Sequence, residues 1–343
     1  MTNDFKIEII PWELTFKRPA RTSRGVYVNR KLWYLRIGDA IGECAPLPDL
    51  SCEYSDDYED LVRRACQEVE ENGKIDFERL RPYPSILFGL ETVMRHHERR
   101  DWRLFDTPFS HGEIGIPING LIWMGDYDYM LQQIETKMDE GFRCVKLKIG
   151  AIDFDRELSL LKHIRSHFSA KEIELRVDAN GAFSPKEALD RLKQLAELEL
   201  HSIEQPIRAG QWDEMARLSS ETPLPIALDE ELIGVNDLAS KRELLSTIRP
   251  QYIILKPSLH GGMAGCEEWI RLANEILTKD NSLPKWWVTS ALESQVGLNA
   301  ISQWCATLGN PLPQGLGTGE IFLDDKRKLV RREGDTIWFN GKG

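Results

Sequence analysis

The chain has 343 residues, 41% apolar and 29% charged, with a formal net charge of −11; this suits a soluble globular protein longer than one small domain and shorter than three. The acidic balance argues against a nucleic-acid partner, and no run approaches the ~20 apolar residues of a membrane span. The N-terminal MTNDFKIEII shows no signal peptide, and the six cysteines are scattered without a CxxC pair, so a cytoplasmic protein with reduced thiols is expected.

Residues 5–45 read as a strand meander: KIEIIPWELTF, GVYVNR and KLWYLRIG alternate or run apolar, punctuated by Asn29-Arg30 and Gly38-Asp39. Residues 53–73 and 85–100 read as helices, the second with Ser85 as N-cap and an apolar face of Ile86, Leu87, Leu90, Val93 and Met94. Strands followed by helices make an α+β unit. From about residue 115 strand and helix alternate. Strands are expected at 116–122, 143–149, 173–179, 200–205, 225–229, 252–256, 286–291 and 314–318, separated by amphipathic helices such as 127–140 and 185–198. Ser184-Pro185-Lys186-Glu187 is a capping box with proline at the first helical position. The final TIWFNGK is one more strand, expected to return to the N-terminal unit.

Five charged residues, Lys148, Asp178, Glu204, Asp229 and Lys256, follow one another at steps of 30, 26, 25 and 27 residues. Each ends a short apolar, β-branched run. A strand plus its crossover helix needs about this many residues. The spacing therefore places one charge at the C-terminal end of each of five successive parallel strands, and in a (β/α)8 barrel those ends meet at the mouth where active sites lie. In VKLKI the period of two puts Lys146 and Lys148 on one face and Val145, Leu147 and Ile149 on the other. The apolar set faces the helices, so both lysines point inward, where an ammonium must be paired or lose its charge.

Neighbouring strands lie ~4.8 Å apart, so Asp178, Glu204 and Asp229 can reach one cation, and all-oxygen ligation suits Mg²⁺ or Mn²⁺. A lone Lys-x-Lys more often lies on a solvated edge strand, and a lone Asp more often caps a helix. The joint register weighs against both readings. With a substrate carboxylate on the metal, Lys148 and Lys256 lie on opposite faces of it. They and the metal can stabilise the enediolate formed when the α proton leaves. A lysine flanked by Lys146 and a metal is expected to have a lowered pKa and to act as a base.

At these residues the chain resembles the enolase superfamily. The joint pattern Lys-x-Lys, Asp-x-Asn, Glu-Gln-Pro, Asp-Glu and Lys-Pro points to its muconate-lactonising subgroup. The resemblance covers the whole chain and implies an α/β fold. An N-terminal α+β capping domain, residues 1–112 completed by 320–343, joins a modified TIM barrel, (β/α)7β, at 113–319. It implies that Lys148 and Lys256 are the acid/base pair, that Lys146 tunes Lys148, and that Asp178, Glu204 and Asp229 bind Mg²⁺, supported by Asn180 and Glu230. KWWVTSALESQVG lacks the histidine of mandelate-racemase-like members, and GLGTGE lacks the Asp-x-Asp by which dipeptide epimerases hold an amino group.

Within the subgroup, RPARTSRGVY, GECAPLPDLS, LKPSLHGG and TSALESQVGLNAISQWCA are most similar to the o-succinylbenzoate synthase family. That similarity implies a small-molecule carboxylate substrate and a Mg²⁺-dependent syn dehydration in menaquinone biosynthesis. Lys148 would remove the α proton and protonate the departing hydroxyl, and Lys256 would stabilise the anion. N-acylamino acid racemase, muconate cycloisomerase and an inactive barrel used for binding are the alternatives. Candidate substrate contacts are Arg24 in the Thr22–Gly25 loop, Ser290, Ser294 and Gly317; turn or capping roles compete for the serines. Gly319 offers a second close backbone approach. His260 reads as a loop residue and Trp286-Trp287 as barrel packing.

Overall fold

The computed structural model describes residues 5–22, 25–150, 152–278 and 284–342. The N-terminal unit is an antiparallel sheet of β1 (Glu8–Thr22), β2 (Gly25–Ile37) and β3 (Ala40–Cys44). Helices α1 (Tyr58–Asn72), α2 (Phe77–Leu80) and α3 (Pro84–Arg99) follow. Trp33, Leu35 and Ile37 of β2 pack on Val62, Cys66 and Val69 of α1 and on Ile86, Leu90 and Val93 of α3. Two expectations change here. Asn29 and Arg30 lie inside β2, paired with Thr15 and Leu14, so they make no turn; the turn at Gly38, φ 59°, is where it was expected. Ser85 is not the N-cap of α3: Pro84 opens that helix after Tyr83, and the buried Glu53 accepts both the backbone N–H and the hydroxyl of Ser85.

The larger unit alternates strands and helices: β4 (Ile116–Pro117), β5 (Gly120–Ile122), α4 (Tyr127–Asp139), β6 (Cys144–Lys148), α5 (Phe154–His167), β7 (Glu174–Asp178), α6 (Pro185–Ala196), β8 (Ser202–Glu204), α7 (Trp212–Glu221), β9 (Ile226–Leu228), α8 (Leu238–Ile248), β10 (Tyr252–Leu255), α9 (Gly262–Ile276), β11 (Trp286–Val288) and α10 (Gln295–Thr307). Strands β5 to β11 form one parallel sheet in chain order. The eighth staves are two bridges: Gln314 pairs parallel to Ile118 and Gly315 parallel to Thr289, which joins β11 back to the start of the sheet and closes the barrel. The expected strand 116–122 is split, because Pro117 has no N–H to continue a ladder. Its first half pairs instead with β13 (Thr336–Lys342), which also pairs with β12 (Lys328–Glu333). The last strand therefore joins the barrel's entry; the link to the N-terminal sheet is made just upstream, where Lys17 and Thr15 bond to Ile321 and Leu323.

Alternation builds the barrel wall. Val145, Leu147 and Ile149 pack outward in the same core as Leu158, Leu161 and Ile164 of α5. Inside, Ala227, Ile254, Trp287 and Leu312 cluster, and the Arg176 guanidinium stacks on Trp287 at 4.2 Å while donating to Glu174 Oε1 at 2.7 Å and Pro313 O at 2.9 Å. The barrel is thus filled below the level of Asp178, leaving the C-terminal strand ends as the place for chemistry. Among the described residues no helix is long and apolar enough to cross a membrane.

Candidate active site

Lys148 pairs with Asp178 across β6 and β7, and Asp178 with Glu204 across β7 and β8, so three charged residues stand in one row. The strands stop there for local reasons. Gly150 (φ 92°), Asn180 (φ 43°) and Gln205 (φ 39°) leave extended conformation just beyond each one. A Cβ on Gly150 would lie 2.4 Å from that of Ala182, so only glycine fits. Asp229 and Lys256 directly follow β9 and β10. Five strands thus deliver the five residues to one end of the barrel, with β6 and β10 flanking the three that carry the acids.

Both lysines of β6 point inward. Lys146 Nζ donates to Glu204 Oε2 (2.7 Å) and Asp178 Oδ2 (3.1 Å). Lys148 Nζ donates to Asp178 Oδ2 (2.9 Å) and Asn180 Oδ1 (2.8 Å). Asn180 Nδ2 donates in turn to Glu230 Oε1 (2.8 Å), and Lys256 is ion-paired with Asp229. Asp178, Glu204 and Asp229 are at most 2% exposed. Burial alone would raise the Asp178 carboxyl, but Lys146 and Lys148 outweigh it and hold the group well below the usual range. Burial and then the Asp178 charge push Glu204 and Glu230 up. Burial opposes the charged forms of Lys146 and Lys256, but the facing carboxylates win and hold both ammoniums high: Asp178 and Glu204 for the first, Asp229 and Glu204 for the second.

Glu204 Oε1, Asp229 Oδ1 and Glu230 Oε2 are buried acceptors without a hydrogen-bond partner. Such oxygens call for a donor or a cation. Among the described residues no three acidic, His or Cys side chains are already gathered in a metal-ligand cluster, and the Lys146 ammonium bridges two of the acids. By charge, burial and atom type the oxygen set fits a hard divalent cation.

Both serine hydroxyls have partners within the protein. Ser290 Oγ donates to Glu293 Oε2 (2.7 Å) and accepts from Leu292 N (3.0 Å) and Thr318 Oγ1 (2.8 Å). Ser294 Oγ donates to Glu43 and accepts from Tyr34 Oη and Val296 N (3.1 Å each). A hydroxyl has one proton, and both are committed to buried carboxylates, leaving none for an anionic substrate. Gly317 is exposed with ordinary clearance around it, whereas Gly319 packs toward Gln295 and Leu298 of α10 and not toward a ligand. His260 is a loop residue as expected; its Nδ1 accepts the backbone N–H of Lys256 (3.0 Å). Arg24 lies outside the described residues.

Sequence reasoning passed over Gln205. Its Oε1 accepts from the backbone N–H of Asp229 and Glu231 (3.2 Å each), and its Nε2 donates to Ile207 O (3.0 Å) and Glu231 Oε2 (2.9 Å). The buried amide thereby sets the strand end that presents Asp229. Its place between Glu204 and Pro206 in the motif was the available signal.

Residues 129–327 match the family model of enolase C-terminal domain-like proteins. The o-succinylbenzoate synthase of Desulfotalea psychrophila is 44% identical over 91% of this chain and 93% of its own. The chain belongs to the enolase superfamily. Within it, the chain falls with the o-succinylbenzoate synthases, a family of carbon–oxygen lyases. The crystal structure of MenC from Desulfotalea psychrophila LSv54 superposes with a TM-score of 0.83 at 36% identity, covering 97% of this chain and 99% of that one. The o-succinylbenzoate synthase of Thermosynechococcus elongatus, a structure with magnesium in its active site, has the same fold (TM-score 0.72, 22% identity, 90% and 92% covered).

Proposed function

We propose that the chain catalyses the syn dehydration of 2-succinyl-6-hydroxy-2,4-cyclohexadiene-1-carboxylate to o-succinylbenzoate, in the cytoplasm, as a step of menaquinone biosynthesis. Residues 113–319 are the catalytic barrel and 1–112 its cap; the tail 320–343 touches the cap at Ile321 and Leu323 and then pairs at the barrel's entry. The observation that carries the reading is the placement of Lys148 and Lys256 on either flank of three buried carboxylates at one barrel end. The likeness to the Desulfotalea synthase over nearly the whole chain supports it.

Asp178, Glu204 and Asp229 would hold a divalent cation. Magnesium is the choice favoured by the all-oxygen donors and by the Thermosynechococcus relative, with Mn²⁺ sharing the same ligand preference. When bound, the cation supplies positive charge where the substrate carboxylate becomes more anionic. Lys148 Nζ takes the proton α to that carboxylate and returns it to the departing hydroxyl, so that water leaves, a C=C bond forms and the ring becomes aromatic. Asn180 Oδ1 orients Lys148, with Glu230 fixing the amide. Lys256, on the opposite flank, adds a second positive charge. Lys146 holds the row of acids together, and Gly317 leaves room for the substrate at the mouth.

The test is ultraviolet detection of o-succinylbenzoate formed by purified protein, with Mg²⁺ and with chelator. Turnover in Mg²⁺ that the chelator removes is expected. Folded, Mg²⁺-loaded protein that makes no product overturns the reading. Deuterium exchange into an N-acylamino acid would then point to racemisation, in which one lysine takes the α proton and the other delivers one to the opposite face.

A further inference from the structure

Glu293, 1% exposed, is joined to the ends of the barrel's last three strands. Its Oε1 accepts from Ser258 Oγ (2.6 Å), two residues past Lys256. Its Oε2 accepts from Ser290 Oγ and Ala291 N (2.7 Å each), just past β11. The same Ser290 hydroxyl receives the Thr318 hydroxyl, which follows the Gln314–Gly315 closure. Arg30 of β2 donates from its guanidinium to the same loop, to Leu292 O (3.2 Å) and Ala291 O (3.4 Å), and to the carbonyls of Ala45 and Pro46. Between these ties Leu292 sits at φ 63°, a left-handed conformation that a leucine disfavours. The loop is therefore held by its bonds against its own backbone preference.

We propose that Glu293 is a positioning residue for the reaction read above: by binding the loops after strands six and seven to one buried carboxylate, and the loop after strand eight through Ser290, it fixes the turn that carries Lys256 beside Asp229. This rests on the proposed function. Two observations support it. Lys256 opens a turn in which Leu259 N and His260 N bond to its carbonyl and its own N–H bonds to His260 Nδ1. Ser258, inside the turn, has its hydroxyl on Glu293. Misplacement of a charged group by about 1 Å can cost about 100-fold in rate.

The test compares kcat and KM of the Mg²⁺-loaded enzyme with Glu293→Ala, Glu293→Gln and Ser258→Ala, together with Mg²⁺ affinity by calorimetry and hydrogen exchange of the 255–264 segment. Glu293→Ala is expected to lower kcat about 100-fold with KM moved less than about threefold. Its Mg²⁺ affinity stays put, since the acids lie on other strands. Glu293→Gln recovers kcat to within about fivefold, because the amide oxygen can take Ala291 N–H and Ser290 O–H while its nitrogen donates to Ser258 Oγ. Ser258→Ala costs about tenfold, in keeping with one lost bond to a charged acceptor. Exchange in 255–264 quickens in Glu293→Ala and not in Glu293→Gln.

An unchanged kcat in Ser258→Ala or Glu293→Ala, or an equal loss in the alanine and glutamine variants, overturns the proposal. If Glu293→Ala does not fold, Ser258→Ala and Glu293→Gln decide it. If wild-type protein forms no o-succinylbenzoate, the function reading fails, and the exchange comparison still decides whether Glu293 fixes the turn.

Discussion

Lys146 and Lys148 are two residues apart on one strand and differ in what each touches. Lys146 lies between two buried carboxylates and is their counter-ion; Lys148 shares one of those carboxylates and reaches the Asn180 amide. Replacing Lys146 by methionine leaves Asp178 and Glu204 facing each other without it. In metal-free protein this is expected to cost about 3–5 kcal/mol of stability, the usual penalty for breaking a buried pair. Chemical denaturation measures it, and a cost under about 1 kcal/mol would show that the acids do not depend on Lys146. The inward direction of both lysines was legible from the period of two. Their separate partners were not, because those depend on register between strands far apart in sequence. The partners of the serines were hidden for a related reason. A sequence places Ser290 and Ser294 near the mouth, but only the fold shows that their protons go to Glu293 and Glu43.

Helices α9 and α10, which follow the last two strands of the continuous sheet, are both capped from the N-terminal unit. Glu91 of α3 accepts from Met263 N (2.6 Å) and Ala264 N (2.9 Å). Glu43 of β3 accepts from Ser294 N (2.9 Å) and Gly297 N (2.8 Å). A carboxylate satisfies the free N–H groups of a helix start and complements its dipole. Capping signals were readable where cap and helix adjoin, as in the Ser184–Glu187 box at α6. They were hidden here because donor and acceptor are well over a hundred residues apart. A shorter separation, 32 residues, misled the reading of Ser85, whose partner Glu53 lies outside its helix.

These caps carry a pH signature. Burial pushes Glu43 and Glu91 up to about 7, against an ordinary 4.5. Between those values the folded chain keeps protons that the unfolded chain releases, so this contribution to stability falls as pH rises through the window. Glu91→Gln removes one such group. Its melting temperature relative to wild type is expected to rise from about pH 5 to about pH 8, and a difference constant with pH would contradict the assignment.

At the scale of the whole molecule, the barrel and the five charged strand ends were legible in strand–helix alternation and even spacing. The closing staves were less legible. Gln314 and Gly315 make only isolated bridges, and TIWFNGK pairs at the barrel's entry because Pro117 frees that segment from the parallel sheet. A cation held by the three acids should stabilise the fold by mass action, about 2.7 kcal/mol at a hundredfold excess over Kd. Mg²⁺ should therefore raise the melting temperature of wild type and not of Asp178→Ala; an equal rise in both would place the ion elsewhere. All six cysteines are free thiols. The central claim is that Lys148 at this mouth moves the proton. It is tested most directly by following o-succinylbenzoate formation by wild type and Lys148→Ala, both folded and saturated with Mg²⁺. The account predicts a loss of about 1,000-fold or more, at the upper end of general acid–base catalysis. Turnover by Lys148→Ala at the wild-type rate would contradict it.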